Sequence, residues 1–221
     1  MDAIVVSLDC GRQYTGVSVS THNRSAVDPC FVHVGVLDVP IGAPGQKIAT
    51  AVEGLQAYLD TEVERVLEAW RGSLAVCFVY EVCPFVDNHV VRAMTDAVHA
   101  KAQARGYRAV PLQPAQKRTR SGDKKQSEAD ARSALIRSSA PGVLDAFDAL
   151  DRKHDCADAI NMDVFVATER ARGRDLLANP PSPSKARKAM HAARARSNKT
   201  ARAAEVRARA LKVKVAAKAK K

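Results

Sequence analysis

The stretch that most constrains this chain is the run LAVCFVY at 74–80, followed at once by Glu81. Seven successive apolar residues ended by a carboxylate predict a strand buried on both faces. That pattern belongs to the centre of a parallel or mixed sheet, not to a half-solvated edge. A charge placed at the end of such a run needs a partner, because an isolated buried carboxylate is costly. Glu81 is therefore the first candidate functional residue.

The segments on either side supply the rest of a sheet. Residues 3–8 (AIVVSL), 15–20 (TGVSVS) and 30–39 (CFVHVGVLDV) read as strands. Lying this close together, they predict an antiparallel meander. Residues 46–70 carry Ile48, Val52, Leu55, Leu59, Val63, Val66, Leu67 and Trp70 at helical spacing, with Leu67 and Trp70 expected in the core. A helix is expected over 88–104, with Asn88 as its cap, and a fifth short strand over 107–112. Residues 114–125 read as a basic loop, 127–138 as a helix capped by Ser127, and 155–170 as a last helix beyond the Pro141-Gly142 break. The order β-β-β-α-β-α-β-α-α predicts an α/β domain, a mixed five-stranded sheet flanked by helices. Functional groups in such sheets gather at strand ends.

Charge divides the chain. Residues 180–221 hold fourteen Lys or Arg against one acid, Glu205, whereas the whole chain has a net charge of +11. The body, 1–178, is thus nearly neutral, and 179–221 reads as a Pro/Ser linker with a basic, disordered tail. A polycationic tail points to a polyanionic partner such as DNA or RNA. The other reading is a solvated extension that only aids solubility or nuclear import. Five cysteines (Cys10, Cys30, Cys77, Cys83 and Cys156) show no paired spacing. That argues against zinc and disulfide frameworks and for an intracellular, reducing compartment, cytoplasm or nucleus, with most thiols buried. No signal peptide is read at the start, and no apolar stretch reaches the roughly 20 residues of a membrane span.

Four acids stand where chemistry could use them. Asp9 ends the first strand, Glu81 ends the central one, and Asp155 and Asp158 lie three apart on one face of the last helix. The simplest topology sets the first strand beside the central strand and so makes Asp9 and Glu81 neighbours. Carboxylates gathered at one place stay ionised when cations lie between them, and oxygen-only ligands select Mg²⁺ or Mn²⁺. Two such ions roughly 4 Å apart would suit phosphodiester hydrolysis. Singly, Asp9 also reads as a turn residue, and Asp155 and Asp158 as first-turn acids favoured by the helix dipole.

Together these residues resemble a known family. Residues 4–17 (IVVSLDCGRQYTGV) resemble the opening strand-turn-strand of RuvC-type Holliday-junction resolvases. Val79-Tyr80-Glu81 resembles their second acidic motif and Lys153-His154-Asp155-Cys156-Ala157-Asp158-Ala159 their last. The loop holding Pro114, Lys117, Gly122, Lys124 and Lys125 is similar to the basic segment that precedes it in bacterial members. The poxvirus-type resolvases are the branch it is nearest, although Val82 stands where many viral and fungal mitochondrial members have Gln. The resemblance implies an RNase H-like fold and Asp9, Glu81, Asp155 and Asp158 as metal ligands. It also implies a homodimer acting on four-way DNA junctions, with the 88–104 helix as a candidate dimer surface. Two-fold symmetry of the junction suits a two-fold homodimer.

Nucleic-acid contacts are expected from Arg12, Lys117, Arg118, Arg120, Lys124, Lys125, Lys153 and His154, with Phe85 stacking on an unpaired base. Each has a plainer reading: turn, exposed loop, surface histidine or core aromatic. Three rival functions stand beside junction resolution. One is a related nuclease for flaps, other branched DNA or RNA. Another is a phosphate-binding kinase or ATPase of the actin-like class, suggested by Asp9-x-Gly11-x₄-Gly16 but lacking a second glycine-rich loop. The third is a non-enzymatic basic DNA-binding protein.

Overall fold

The apolar run does sit inside a sheet. In this computed structural model, which describes residues 2–23, 25–39, 47–70, 72, 74–82, 88–113 and 124–182, five strands form one mixed sheet. They are β1 (Ala3–Cys10), β2 (Tyr14–His22), β3 (Cys30–Asp38), β4 (Ala75–Glu81) and β5 (Arg108–Leu112), in the order β3-β2-β1-β4-β5. β1 pairs antiparallel with β2 and β2 with β3, while β4 lies parallel to both β1 and β5. Residues Cys77 to Tyr80 are buried, whereas the start of the apolar run is not: Leu74 and Val76 are half-buried and Ala75 is exposed, so only its second half lies in the core. Pro111 is confined to β5, an edge strand, where a missing N–H does least harm.

Alternation along β1 divides the core in two. Ile4, Val6 and Leu8 join Leu55, Leu59, Phe78, Met94 and Val98. These belong to the layer of α1 (Lys47–Tyr58), a π-helical turn (Leu59–Val63), α2 (Glu64–Glu68) and α3 (His89–Ala104). Ala3 and Val5 face the other way with Val79, Val110, Met162 and Val166. That second layer holds α4 (Lys124–Arg137), α5 (Val143–Asp148) and α6 (Lys153–Ala171). Phe31, Leu135, Phe147 and Ile160 extend it beneath β3. Each such fully buried side chain contributes roughly 1.5–3 kcal/mol.

One polar pin crosses this second layer. Asp163 of α6 is fully buried and accepts hydrogen bonds from Ser7 Oγ at 2.8 Å and Ser18 Oγ at 2.6 Å. Ser7 and Ser18 are direct partners across β1 and β2. His22 Nε2 stands 3.7 Å from the same carboxylate. A buried carboxylate is tolerable only when its oxygens are satisfied in this way, so the network lets Asp163 sit inside the layer between α6 and the sheet.

Several expectations need correction. The helix expected over 46–70 is broken by the π-helical turn and ends at Glu68, with Leu67 buried and Trp70 half-buried. α5 was not anticipated; it is a single short turn-and-a-half after the left-handed Gly142 (φ 81°). α6 begins two residues before the expected start, at Lys153. Lys124 and Lys125 are not loop residues but open α4, so Ser127 is not its cap. Asn88 does cap α3, accepting from the Val91 amide at 3.3 Å. Cys10, Cys77 and Cys156 are buried free thiols, and Cys30 is half-buried and free. Cys83 and the tail from 183 onward lie outside the described residues. No described helix is long and apolar enough to cross a membrane.

Candidate active site

The parallel pair β1 and β4 ends with Leu8 opposite Tyr80, so Asp9 and Glu81 follow side by side at the carboxyl ends of adjacent strands. Their facing is decided by strand alternation. Val5 and Ser7 face α6, and Asp9, two residues on, shares that face; Val79 faces α6, and so does Glu81. Across β2, Gly16 pairs with Asp9. A β-carbon on Gly16 would stand 2.8 Å from the Cys156 amide nitrogen and nearer still to the Asp155 carbonyl. The first turn of α6 therefore rests directly on the strand beside Asp9. Three carboxylate-bearing positions, distant in sequence, meet at one corner of one face.

The side chains there are half-buried. Asp155 Oδ2 is buried and receives no hydrogen bond; His154 Nε2 lies 3.3 Å from it. Glu81 Oε2 is buried as well. Burial pushes the Cys156 thiol up to about 12, so it remains a neutral neighbour of Asp155 and points at the Val17 carbonyl, 3.5 Å away. Asp158, one turn further along α6, accepts from Ser127 Oγ at 2.7 Å. Among the described residues, no group of three or more His, Cys, Asp or Glu side chains is set to hold a metal ion. Backbone positions converge, but the carboxylates do not close into a cage.

Beside this corner opens a cleft of about 620 Å³ lined by Arg12, Tyr14, Lys47, Lys124, Arg152, His154 and Asp155. Arg12, Lys47, Lys124 and Arg152 give it a cationic excess over its acidic member Asp155 of α6, and Gly11, Gln13, Val39, Ala51 and Val90 complete the wall. Arg152 lies over the Tyr14 ring, 4.5 Å from the centroid, and donates to the Tyr14 hydroxyl at 3.3 Å. The tight turn that presents Arg12 and Tyr14 is closed by the Gly11 amide donating to the Tyr14 carbonyl at 2.9 Å.

Of the expected nucleic-acid contacts, Arg12, Lys124 and His154 line the cleft. Lys153 is half-buried at the first position of α6, and Lys125 is exposed in the first turn of α4. Phe85, Lys117, Arg118 and Arg120 lie outside the described residues. Lys47, Tyr14 and Arg152 were missed. Arg152 had one signal, its place beside Lys153-His154; Lys47 had none.

No protein-family model matches this chain, and no curated protein matches it in sequence. Solved structures do match. Thermus thermophilus RuvC in complex with Holliday-junction substrate superposes with a TM-score of 0.53 at 19% identity, over 78% of this chain and 97% of that one. The fowlpox virus resolvase, solved with substrate Holliday-junction DNA, gives 0.53 at 12% identity, over 76% and 98%. The yeast mitochondrial Holliday-junction resolvase Ydc2 gives 0.53 at 11%, over 80% and 84%. The chain has the RuvC-type, RNase H-like fold. At these identities the likeness is one of backbone.

Proposed function

We propose that this protein is a structure-selective endonuclease that resolves four-way DNA junctions by metal-dependent phosphodiester hydrolysis. The single observation that carries the reading is the meeting of Asp9, Glu81 and Asp155 at one end of one sheet face, beside a cationic cleft. A purely structural role does not account for carboxylates at both parallel strand ends with a helix seated over them.

Those oxygens fit a hard divalent cation in kind, and the buried Asp155 Oδ2 that receives no hydrogen bond is a ready ligand position. Asp9, Glu81 and Asp155 would hold Mg²⁺ or Mn²⁺, with Asp158 completing the set. Two ions bound there would supply Lewis acidity at the scissile phosphate and charge for the attacking and leaving oxygens. The chain's own groups do the rest. Arg12, Lys47, Lys124 and Arg152 offset phosphate charge along the cleft and orient the strand. His154, beside Asp155, is placed to hold or pass a proton at the edge of the site. Residues 1–178 form the nuclease domain; the basic tail from 179 adds sequence-independent affinity for DNA.

Two symmetric cuts need two such sites, so the working unit is a homodimer. An intracellular, reducing compartment suits the free thiols.

The test is a titration of Mg²⁺ and Mn²⁺ against cleavage of a synthetic four-way junction, beside matched duplex, flap and RNA–DNA hybrid. Junction-selective cutting that vanishes with chelator supports the proposal. Equal cutting of flaps or hybrids would leave a nuclease of this fold with another target. Cutting that ignores chelator would overturn the site.

A further inference from the structure

Asp158 is held by a chain of hydrogen bonds that runs back through α4 to Asn161. Ser127 Oγ donates to Asp158 Oδ1 at 2.7 Å. Asn161 Nδ2 donates to Ser127 Oγ at 2.8 Å and to the Ser127 backbone carbonyl at 3.1 Å. Asn161 is itself buried, with 4% of its surface exposed. The polarity of this chain follows from proton counting. A carbonyl can only accept, so the carboxamide must present its nitrogen to Ser127. Both amide hydrogens are then committed to Ser127. Its hydroxyl, already accepting from Asn161, has one proton left, and that proton goes to Asp158. Oδ1 of Asp158 is therefore the acceptor, and Oδ2 is the oxygen that Ser127 does not engage.

The chain also ties two elements together. Ser127 belongs to α4, whose first residue is Lys124 on the wall of the cationic cleft; Asp158 and Asn161 belong to α6. A hydrogen bond from an outer residue to a ligating carboxylate fixes its rotamer and tunes its basicity.

We propose that Ser127 and Asn161 are positioning residues that orient Asp158 for a divalent cation and couple its placement to the cleft wall on α4. This rests on the metal-dependent reading above.

The test measures Mn²⁺ binding to the full-length protein by electron paramagnetic resonance, together with the Mn²⁺ dependence of junction cleavage. Ser127→Ala should weaken Mn²⁺ binding by about 10–100-fold, the usual range for removing an outer-shell partner. The cleavage midpoint should shift in parallel while the rate at saturating Mn²⁺ stays within a few-fold. Ser127→Thr, which keeps the hydroxyl, should restore both. Asn161→Ala, which frees the hydroxyl to rotate, should fall between wild type and Ser127→Ala. Should Ser127→Ala not fold, Ser127→Cys carries the same comparison. An unchanged Mn²⁺ affinity in Ser127→Ala, or a fall in saturated rate with no shift in midpoint, overturns the proposal. Asp158→Asn separates this from failure of the wider reading. If that variant binds Mn²⁺ and cleaves like wild type, Asp158 is not a ligand at all.

Discussion

No side chain fits at Gly16, because the backbone of Asp155 occupies the space a β-carbon would take. The neighbour is main chain at the first turn of a helix, which cannot swing aside as a flexible side chain would. Gly16 pairs with Asp9 across β1 and β2, so this contact sets the depth at which α6 meets the strand carrying Asp9.

Gly16→Ala should therefore damage the site more than the fold. Overpacking of this kind costs about 1–3 kcal/mol. A displacement on the order of 1 Å at reacting groups costs roughly 100-fold in rate. Thermal melting and junction cleavage measured on the same preparation check this. A variant that cleaves at the wild-type rate would show that the α6 seat is not what places Asp155.

Much of this arrangement was legible in the sequence, and the reasons are specific. The unbroken apolar run before Glu81 and the β-branched run before Asp9 are strand signals in their own right, so the strands and their carboxylate ends could be read locally. The π-helical turn at Leu59–Val63 could not, since its apolar residues keep near-helical spacing through the irregularity. α5 was too short to show a period. Lys124 and Lys125 read as loop because polarity outweighed helix propensity in a segment of low apolar content. Tyr14 and Arg152, 138 positions apart, and the Ser7–Asp163–Ser18 network depend on tertiary register that no local pattern encodes.

That network yields a prediction of the opposite kind. Asp163→Ala leaves two buried serine hydroxyls without their acceptor, and each unsatisfied group costs about 1–3 kcal/mol. The melting temperature should fall by several degrees in Asp163→Ala. Below that temperature, cleavage per folded molecule should stay near wild type, because Ser7, Ser18 and Asp163 touch no part of the proposed reaction. Wild-type stability would show that the buried carboxylate contributes nothing net.

Arg152 should act through charge. It lies exposed over Tyr14 in the cleft and carries donors beyond the one engaged by the Tyr14 hydroxyl. Arg152→Ala should weaken junction binding and reduce the slope of log affinity against log salt by about one. Fluorescence anisotropy at several salt concentrations reads this slope. An unchanged slope would remove Arg152 from the set of phosphate contacts.

His33 predicts a pH effect on stability. Its Nε2 is buried without a hydrogen-bond partner, and burial holds its pKa below the ordinary 6.5; Arg65 lowers it further and Glu62 opposes. The unfolded chain therefore takes up this proton at higher pH than the folded one. The contribution of neutral His33 is fully present above about 6.5 and is lost as pH falls toward the depressed folded value. Chemical denaturation at a series of pH values should show wild type losing stability below 6.5 more steeply than His33→Gln. Parallel pH profiles would show that His33 does not titrate between the two states.

The central claim is that Asp9, Glu81 and Asp155 act together on a bound phosphodiester. Its most direct measurement is the single-turnover rate of four-way junction cleavage by Asp9→Asn, Glu81→Gln and Asp155→Asn at saturating Mg²⁺, with junction affinity determined in parallel. The account predicts that each substitution abolishes cleavage while affinity stays within a few-fold of wild type. Full-rate cleavage by any one of the three would contradict it.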